Sequence, residues 1–350
     1  MTQPNLTCVV PTHERSHFLR RMAMHLKRSA QGLKIIVADS SSLLHRQANE
    51  RIVADLQGHL DISYRHFECD FITKIHTALC EVETPFVTLC ADDDYANFDV
   101  SQKCAEFLAG QPDYSCAMGQ YLVFWTGQSK MRLANVRNVE HDSPLQRSIS
   151  IGEEPFASFY SVYRTEVLED NILYTKTHVD YNRGWAFPEE MLLHLAVLKG
   201  KLRLIDEPGY LFGVHDSNTS EIVANIADGD QARSLYHGFR EALVAAICEQ
   251  DGHVSTRRAK RVVDRFYRHL GRNGKRTVGE KLMREYRKVK RQVEVGVGWR
   301  TDPRVKHVPG KAEGNFRSIP WMSQAIDDMV NFPNGIVEPS SKVEAARKAG

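Results

Sequence analysis

The chain opens on apolar runs that alternate with amphipathic ones. Leu6 to Val10 is a short apolar segment that stops at Pro11 and reads as a buried strand. From Phe18 to Ser29, the residues Phe18, Leu19, Met22 and Leu26 recur at helical spacing on one face. Lys34 to Ala38 reads as a second buried strand, closed by the polar turn Asp39-Ser40-Ser41-Ser42. A helix around Gln47 to Leu56 follows, then a strand at Ile62 to His66 and a helix over Thr73 to Glu81. Pro85 to Cys90 is another apolar strand, and it runs directly into Asp92-Asp93-Asp94.

This βαβα rhythm predicts an α/β fold: a Rossmann-like, mostly parallel sheet flanked by helices. In such sheets ligands sit beyond the carboxyl ends of the strands, near a switch point. Three polar clusters fall there, namely Pro11 to Arg15, Asp39 to Ser42 and Asp92 to Asp94. They are far apart in sequence, and such a fold is expected to bring them together.

The second half is less regular. Gln120 to Ser150 is irregular and polar and reads as a strand pair with a long loop, and an ordered element resumes at Ser158 to Leu168. Pro188 to Leu198 reads as a helix with Met191, Leu192, Leu195 and Leu198 in its apolar positions. Leu202 to Ile205 is a strand, and Pro208 to Val214 is a turn and strand leading to His215-Asp216-Ser217-Asn218. After about Glu221 the pattern becomes helical through residue 292, and residues 257–291 are strongly basic. Residues 293–350 mix Gly, Pro and charge with few apolar runs. The expected organisation is a catalytic domain over 1–220, a basic helical extension over 221–292 and a loosely structured tail over 293–350.

Composition narrows the function. At 42% hydrophobic and 26% charged residues, the chain is an ordinary folded protein. Its net charge of +2 argues against a nucleic-acid binder, which needs a strong basic excess. The basic stretch 257–291 interleaves Val262, Val263, Phe266, Tyr267 and Leu270, which predicts packing on the catalytic domain first and peripheral contact with anionic lipid second. The seven cysteines are odd in number and form no C-x-x-C pair, so they read as reduced thiols. No signal-peptide pattern is present, and no apolar run approaches the roughly 20 residues that span a bilayer. A cytoplasmic protein is expected, with contact to the inner membrane face as an option.

The triplet carries the chemistry. Three adjacent carboxylates after a buried strand repel one another and need a cation or solvent to offset that repulsion. Oxygen-rich sites suit Mn²⁺ or Mg²⁺, completed by substrate phosphates. A solvated acidic turn capping the next helix is the bland reading of the same residues. The strand-end position in an α/β sheet favours the metal.

Five segments together resemble the family-2 glycosyltransferases with the GT-A fold. Val9-Val10-Pro11-Thr12-His13-Glu14-Arg15 is similar to that family's first-strand motif, which places an aromatic and an Asn where His13 and Glu14 stand. Ile35 to Ser41 resembles the second-strand motif, with Ala38 in place of the first of two Asp. Thr84 to Asp94 resembles the strand leading to the DXD metal motif. Gly184 to Leu198, with Glu189-Glu190, resembles the late Glu-Asp motif, and Gly213-Val214-His215 the Arg-x-His motif. The resemblance covers roughly residues 5 to 220.

The resemblance implies a metal-dependent, inverting enzyme that uses a nucleotide-sugar donor. Pro11, Thr12, His13, Glu14 and Arg15 would contact base and ribose. Asp39 would accept from a base ring N–H, which suits uracil, with Ser40 beside it. Lys74 would approach the nucleotide, or be a plain helix-surface lysine. Asp92 would lie near the ribose. Counting from Phe86 puts Asp93 in the metal-ligand place, while a literal Asp-x-Asp gives Asp92 and Asp94; His215 would add a ligand. Glu190 matches the general base and Glu189 its support, though the longer Glu side chain lets the roles exchange. Trp185 and Tyr160 head the candidates for stacking on an acceptor sugar, with Phe156, Phe159, Tyr163 and Tyr181 behind them. The acceptor would be a cell-envelope glycan or a lipid-linked molecule. Two other classes compete: a nucleotidyltransferase, disfavoured by the lack of a Gly-rich phosphate loop after the first strand, and a non-catalytic glycan- or nucleotide-binding protein on a degenerate transferase domain.

Overall fold

The computed structural model describes residues 6–126, 130–134, 136–181, 186–215, 229–268 and 320–336. The strands are β1 (Leu6–Thr12), β2 (Lys34–Asp39), β3 (Asp61–His66), β4 (Phe86–Leu89), β5 (Tyr95–Ala96), β6 (Tyr114–Trp125), β7 (Lys130–Leu133), β8 (Val162–Arg164) and β9 (Lys201–Val214). The helices are α1 (Ser16–Ser29), α2 (Leu43–Gln57), α3 (Phe71–Leu79), α4 (Phe98–Gly110), α5 (Pro144–Glu153), α6 (Thr165–His178), α7 (Ala186–Leu198), α8 (Gly229–Gln250), α9 (Thr256–Tyr267) and α10 (Pro320–Asn331).

One sheet runs in the order β3-β2-β1-β4-β8-β6-β9-β5, with β7 on β6. Its first four strands are parallel, with Val9 of β1 paired to Ile36 on one side and Leu89 on the other. Every residue of β1 is buried, as expected of a parallel strand covered by helices on both faces. The chain moves outward from β1 to β3, then α3 carries it back to β4 on the other side of β1. That reversal is the switch point, where the ends of β1 and β4 diverge. Beyond it β8 enters antiparallel to β4, and β6 and β9 pair in parallel.

The irregular stretch after Gln120 resolves into the end of the twelve-residue β6, the short β7, and α5, which starts on a Ser143 cap followed by Pro144. The two strands expected around Pro208 are one fourteen-residue strand, β9. Pro208 falls at a register irregularity opposite Gln120, where its missing N–H does not interrupt the ladder.

Residues on either side of the boundary expected at 220 pack together. Phe187, Met191 and Leu195 of α7 share one core with Phe239, Leu243 and Ile247 of α8 and with Val263, Phe266 and Tyr267 of α9. The described part of the basic stretch therefore turns its apolar side inward. Gly152 on α5 lets Phe266 approach to where a Cβ would lie at 2.4 Å. Residues 269–291, the rest of that stretch, lie outside the described residues. Within 293–350, expected to be a loosely structured tail, Pro320–Asn331 is a helix. Its residues Met322, Ala325, Ile326 and Met329 are fully buried against Tyr95, Leu122, Phe124 and Leu211. Spaced three to four apart, these four form one apolar face that the surrounding polar residues hide from a composition-level reading. Among the described residues no helix is long and apolar enough to cross a membrane.

Candidate active site

The loop after β1 is stitched to the loop after β2. His13 Nδ1 lies 2.9 Å from the Ser40 carbonyl oxygen, and the Glu14 backbone N–H donates to Ser41 Oγ at 2.8 Å. Glu14 turns its carboxylate onto the start of α2, accepting from the backbone N–H of Ser42 and, at 2.9 Å, from its hydroxyl. The Ser42 N–H contact and the start of the helix hold the Glu14 pKa below the usual range. Glu14 has φ of 55°, the sole positive value for a non-glycine residue among the described residues. Asn tolerates that conformation better than most residues, which accounts for the Asn in the motif this segment resembles.

Lys74 reaches in from α3 beneath both loops. Its Nζ donates to the Thr12 carbonyl at 2.6 Å and to Ser40 Oγ at 2.9 Å. Burial pulls its pKa down to about 8 against the pull of Asp92 and Asp39. It is a buried tie between two strand ends, not a surface lysine.

Asp39 is fully engaged. Oδ1 accepts from the N–H and hydroxyl of Ser41 at 2.8 and 2.5 Å, and Oδ2 from Asn49 at 2.8 Å and Tyr64 at 2.6 Å. Burial alone would raise its pKa, but the hydrogen bonds from Asn49, Ser41 and Tyr64 outweigh that and lower it. A base ring N–H would compete with this set. Beside it, a cavity of about 490 Å³ is lined by Glu14, Ser40, Ser42, Arg46, His66 and Phe67, among others.

The three aspartates have three separate settings. Asp92 accepts from Thr12 Oγ1 at 2.6 Å and pairs with Arg15 Nη2 at 2.5 Å. Burial pushes its pKa up to about 7, with Arg15 opposing. Asp93 Oδ2 receives Arg15 Nη1 at 2.7 Å and lies 3.1 Å from His215 Nε2. Burial would raise its pKa, but the His215 hydrogen bond and Arg15 hold it low. Asp94 turns the other way: Oδ2 accepts from Tyr210 at 2.8 Å and Oδ1 from the Gly213 N–H at 2.9 Å. Burial raises its pKa well above the carboxylate range, and neighbouring Asp93 adds to the rise.

This geometry distinguishes which donors are spaced for a divalent ion. Two neighbouring ligands on an octahedral ion with bonds of about 2.1 Å lie about 3 Å apart. Asp93 Oδ2 and His215 Nε2 match that spacing at 3.1 Å. Asp94 has both oxygens bonded elsewhere. Among the described residues, the group of three potential ligands with donor atoms within 4.8 Å of one another is His76, Cys80 and Glu169, not the triplet. A metal held by Asp93 and His215 would therefore draw its remaining ligands from substrate phosphates and water.

Arg21 secures the triplet from behind. It donates to the Asp93 carbonyl at 2.5 Å and to the Phe332 carbonyl, just past α10, at 3.0 Å. Tyr160, Tyr210 and Tyr121 form a stack next to Asp94, with Tyr160–Tyr210 centroids 4.6 Å apart and Tyr121–Tyr210 5.3 Å apart. Tyr160 is half-buried in this stack, whereas Phe156, Phe159 and Tyr163 are core residues. Tyr181 donates to Asp70 at 3.4 Å. Trp185 lies outside the described residues.

Glu189 and Glu190, in the first turn of α7, are both half-buried. Glu189 bears electrostatically on Tyr121 and Tyr160, and burial raises its own pKa. Glu190 accepts from the Tyr267 hydroxyl at 2.8 Å. Burial pushes its pKa up to about 7, against the Tyr267 hydrogen bond.

Several of these residues carry a signal in the sequence besides the motifs. Arg21 and His25 are i, i+4 on the apolar face of α1, and Asn49 sits three and four residues before Ile52 and Val53 on α2. Polar groups on a buried face need partners, and Arg21 and Asn49 find theirs in the site, at the Asp93 carbonyl and the Asp39 carboxylate, while His25 finds the Ala96 carbonyl of β5. Tyr210 and Tyr267 carry no such mark.

No protein-family model matches the chain, and no curated protein sequence does. Solved structures do match. S. aureus TarS 1–349 overlays with a TM-score of 0.51 at 15% identity, over 76% of this chain and 72% of that one. Its complex with UDP-GlcNAc overlays equally, at 0.51 and 16% identity, over the same shares of the two chains. The mannosyltransferase PcManGT from Pyrobaculum calidifontis, in complex with GDP-Man and Mn²⁺, covers 95% of this chain and 88% of its own at 10% identity, but its TM-score of 0.45 carries no argument. The chain shares the α/β fold of TarS.

Proposed function

We propose that this chain is a glycosyltransferase that moves a sugar from a nucleoside-diphosphate-sugar, a UDP-sugar for preference, to a hydroxyl of a cell-envelope glycan or lipid-linked acceptor. The observation that carries the reading is the meeting of Arg15, Asp92, Asp93 and His215 at the carboxyl ends of β1 and β4. That is where an α/β sheet binds ligands. The similar fold of TarS, solved with UDP-GlcNAc, supports the donor class.

In this mechanism the cavity beside Glu14 and Arg46 takes the nucleoside. Asp93 and His215 would hold a Mn²⁺ or Mg²⁺ ion, which when bound would supply positive charge against the leaving diphosphate. Thr12 and Arg15 fix Asp92 toward the ribose. Glu190 takes the proton of the acceptor hydroxyl as that oxygen attacks the anomeric carbon. The new C–O bond forms in line with the breaking one, whose electron pair leaves with the diphosphate, and the anomeric centre inverts. Glu190 then releases its proton to water. Tyr160, and Trp185 beyond the described residues, contact the acceptor.

The test is release of nucleoside diphosphate from a panel of nucleotide-sugars with Mn²⁺, alongside thermal shifts with the matching nucleotides. Glu190→Gln is expected to bind donor and lose turnover by about 100-fold or more. A flat response to every nucleotide and nucleotide-sugar would sink the proposal. Turnover of a sugar-1-phosphate with a nucleoside triphosphate would point to a nucleotidyltransferase instead.

A further inference from the structure

Glu190 stands at the end of a buried hydrogen-bond chain that crosses three helices. Its Oε2 accepts from the Tyr267 hydroxyl of α9 at 2.8 Å. The same hydroxyl oxygen lies 2.7 Å from His194 Nε2 on α7, and His194 Nδ1 lies 2.8 Å from Ser148 Oγ on α5. Tyr267, His194 and Ser148 are all buried. The Tyr267 ring is wedged edge-on between Phe239 and His194, with centroids 5.2 and 5.4 Å away, so its hydroxyl has little freedom. Burial drives the His194 pKa down to about 3, which keeps the imidazole neutral.

We infer that Tyr267 is a positioning residue for the proposed base: its hydroxyl pins Oε2 of Glu190 as an acceptor and leaves Oε1 to receive the proton. The inference rests on the reading of Glu190 as base. The direction of the chain follows from its ends. Glu190 Oε2 can only accept while the carboxylate is ionised, so Tyr267 donates to it. The Tyr267 oxygen then takes the His194 Nε2–H, and Nδ1 takes the Ser148 hydroxyl proton. The histidine is thereby fixed as its Nε2–H tautomer. When Glu190 takes a proton from the acceptor, that proton settles on Oε1, and Oε2 keeps its bond to Tyr267 with no rearrangement behind it. The proton later leaves from Oε1 to water. Two groups besides His194 bear on this carboxylate: Tyr267, whose hydrogen bond favours the ionised form, and Glu189, whose charge opposes it.

The arrangement makes residues beyond the resemblance to glycosyltransferases part of the reacting unit. Orientation of a base by a second buried group reduces the conformations it must search before transfer.

Tyr267→Phe tests this, because it keeps the ring and removes the hydroxyl. The donor KM is expected to stay within about twofold, since no residue of α9 lines the nucleoside cavity. The acid limb of kcat is expected to move up by about one pH unit, giving an about fivefold loss at pH 7 that closes by pH 9. Infrared difference spectra against Glu190→Gln read the Glu190 carboxyl directly, and its midpoint should rise in the same variant. Ser148→Ala, at the far end of the chain, should shift both midpoints the same way by less. The proposal is overturned if Tyr267→Phe folds and leaves kcat against pH and the carboxyl midpoint unchanged. It is also overturned if Tyr267→Phe does not fold and Ser148→Ala moves neither. The infrared midpoint does not need turnover. If no nucleotide-sugar is used, the role of Glu190 as base fails separately from its bond to Tyr267.

Discussion

Asp93 and His215 stand 3.1 Å apart, Oδ2 to Nε2, across 122 positions of sequence. The contact closes β9 back onto the loop after β4. Within the triplet it sets Asp93, which faces His215, apart from Asp94, which turns to Tyr210 and Gly213. Asp93→Asn and His215→Ala should each weaken Mn²⁺ binding by about tenfold or more, a loss of at least about 1.4 kcal/mol. Asp94→Asn should leave it within about threefold, because Asp94 bonds Tyr210 and Gly213 instead. Asp94→Ala should cost about 1–3 kcal/mol of stability by leaving those donors unpaired. Electron-spin titration of free Mn²⁺ and urea denaturation read the two effects. Equal metal loss in Asp93→Asn and Asp94→Asn would refute the assignment.

Glu14 offers a test of backbone strain. At φ of 55° it carries a conformation that β-branched residues resist. Glu14→Val should destabilise by about 1–3 kcal/mol. Glu14→Asn should come within about 1 kcal/mol of the native protein, trading the cap on Ser42 for a residue that favours this region. Thermal melts of the two variants, with a larger loss in Asn than in Val, would contradict the account.

His25 gives a pH dependence whose sign can be worked out. It is buried with Nε2 2.8 Å from the Ala96 carbonyl, and burial lowers its pKa to about 4. The unfolded chain takes up this proton near the ordinary value of about 6.5. Between those values the unfolded state binds more protons, so stability falls as pH falls. At pH 5 the loss from this residue is about 2 kcal/mol. Asp92 and Glu190, raised to about 7, act in the opposite sense. They are present in both proteins when the native chain is compared with His25→Gln. The stability difference between the two should shift toward the variant by about 2 kcal/mol from pH 7.5 to pH 5, measured by urea midpoints. No shift would mean that His25 protonates within the fold.

The parallel half of the fold was legible because its strands are continuous apolar runs and its helices are amphipathic. Leu6 to Val10, Lys34 to Ala38 and Pro85 to Cys90 each map onto β1, β2 and β4 with small shifts at the ends. The meeting of Arg15 with Asp92 and Asp93 was expected from strand-end positions, whereas His215 entered through the resemblance. What the pattern did not carry was direction. Three consecutive aspartates look alike in a sequence, yet one loop turn aims Asp94 at Tyr210 and Asp93 at His215. Asp39 was legible as a buried strand-end carboxylate, but its four donors come from Ser41, Asn49 and Tyr64 on separate elements. Tyr267 lay in a basic run where charge masked the one hydroxyl that reaches α7. The helix at Pro320–Asn331 was hidden for the same reason, since its apolar stripe is short and set among polar residues.

Arg21 joins the Asp93 carbonyl to the Phe332 carbonyl, so the rear wall of the acidic triplet contains a residue synthesised after all nine strands. On the ribosome, β1 through β9 emerge well before α10. The nascent sheet must therefore wait with Met329's place beside Gly213 unfilled and Arg21 lacking its second carbonyl. The order of translation thus delays the finished site until α10 has emerged.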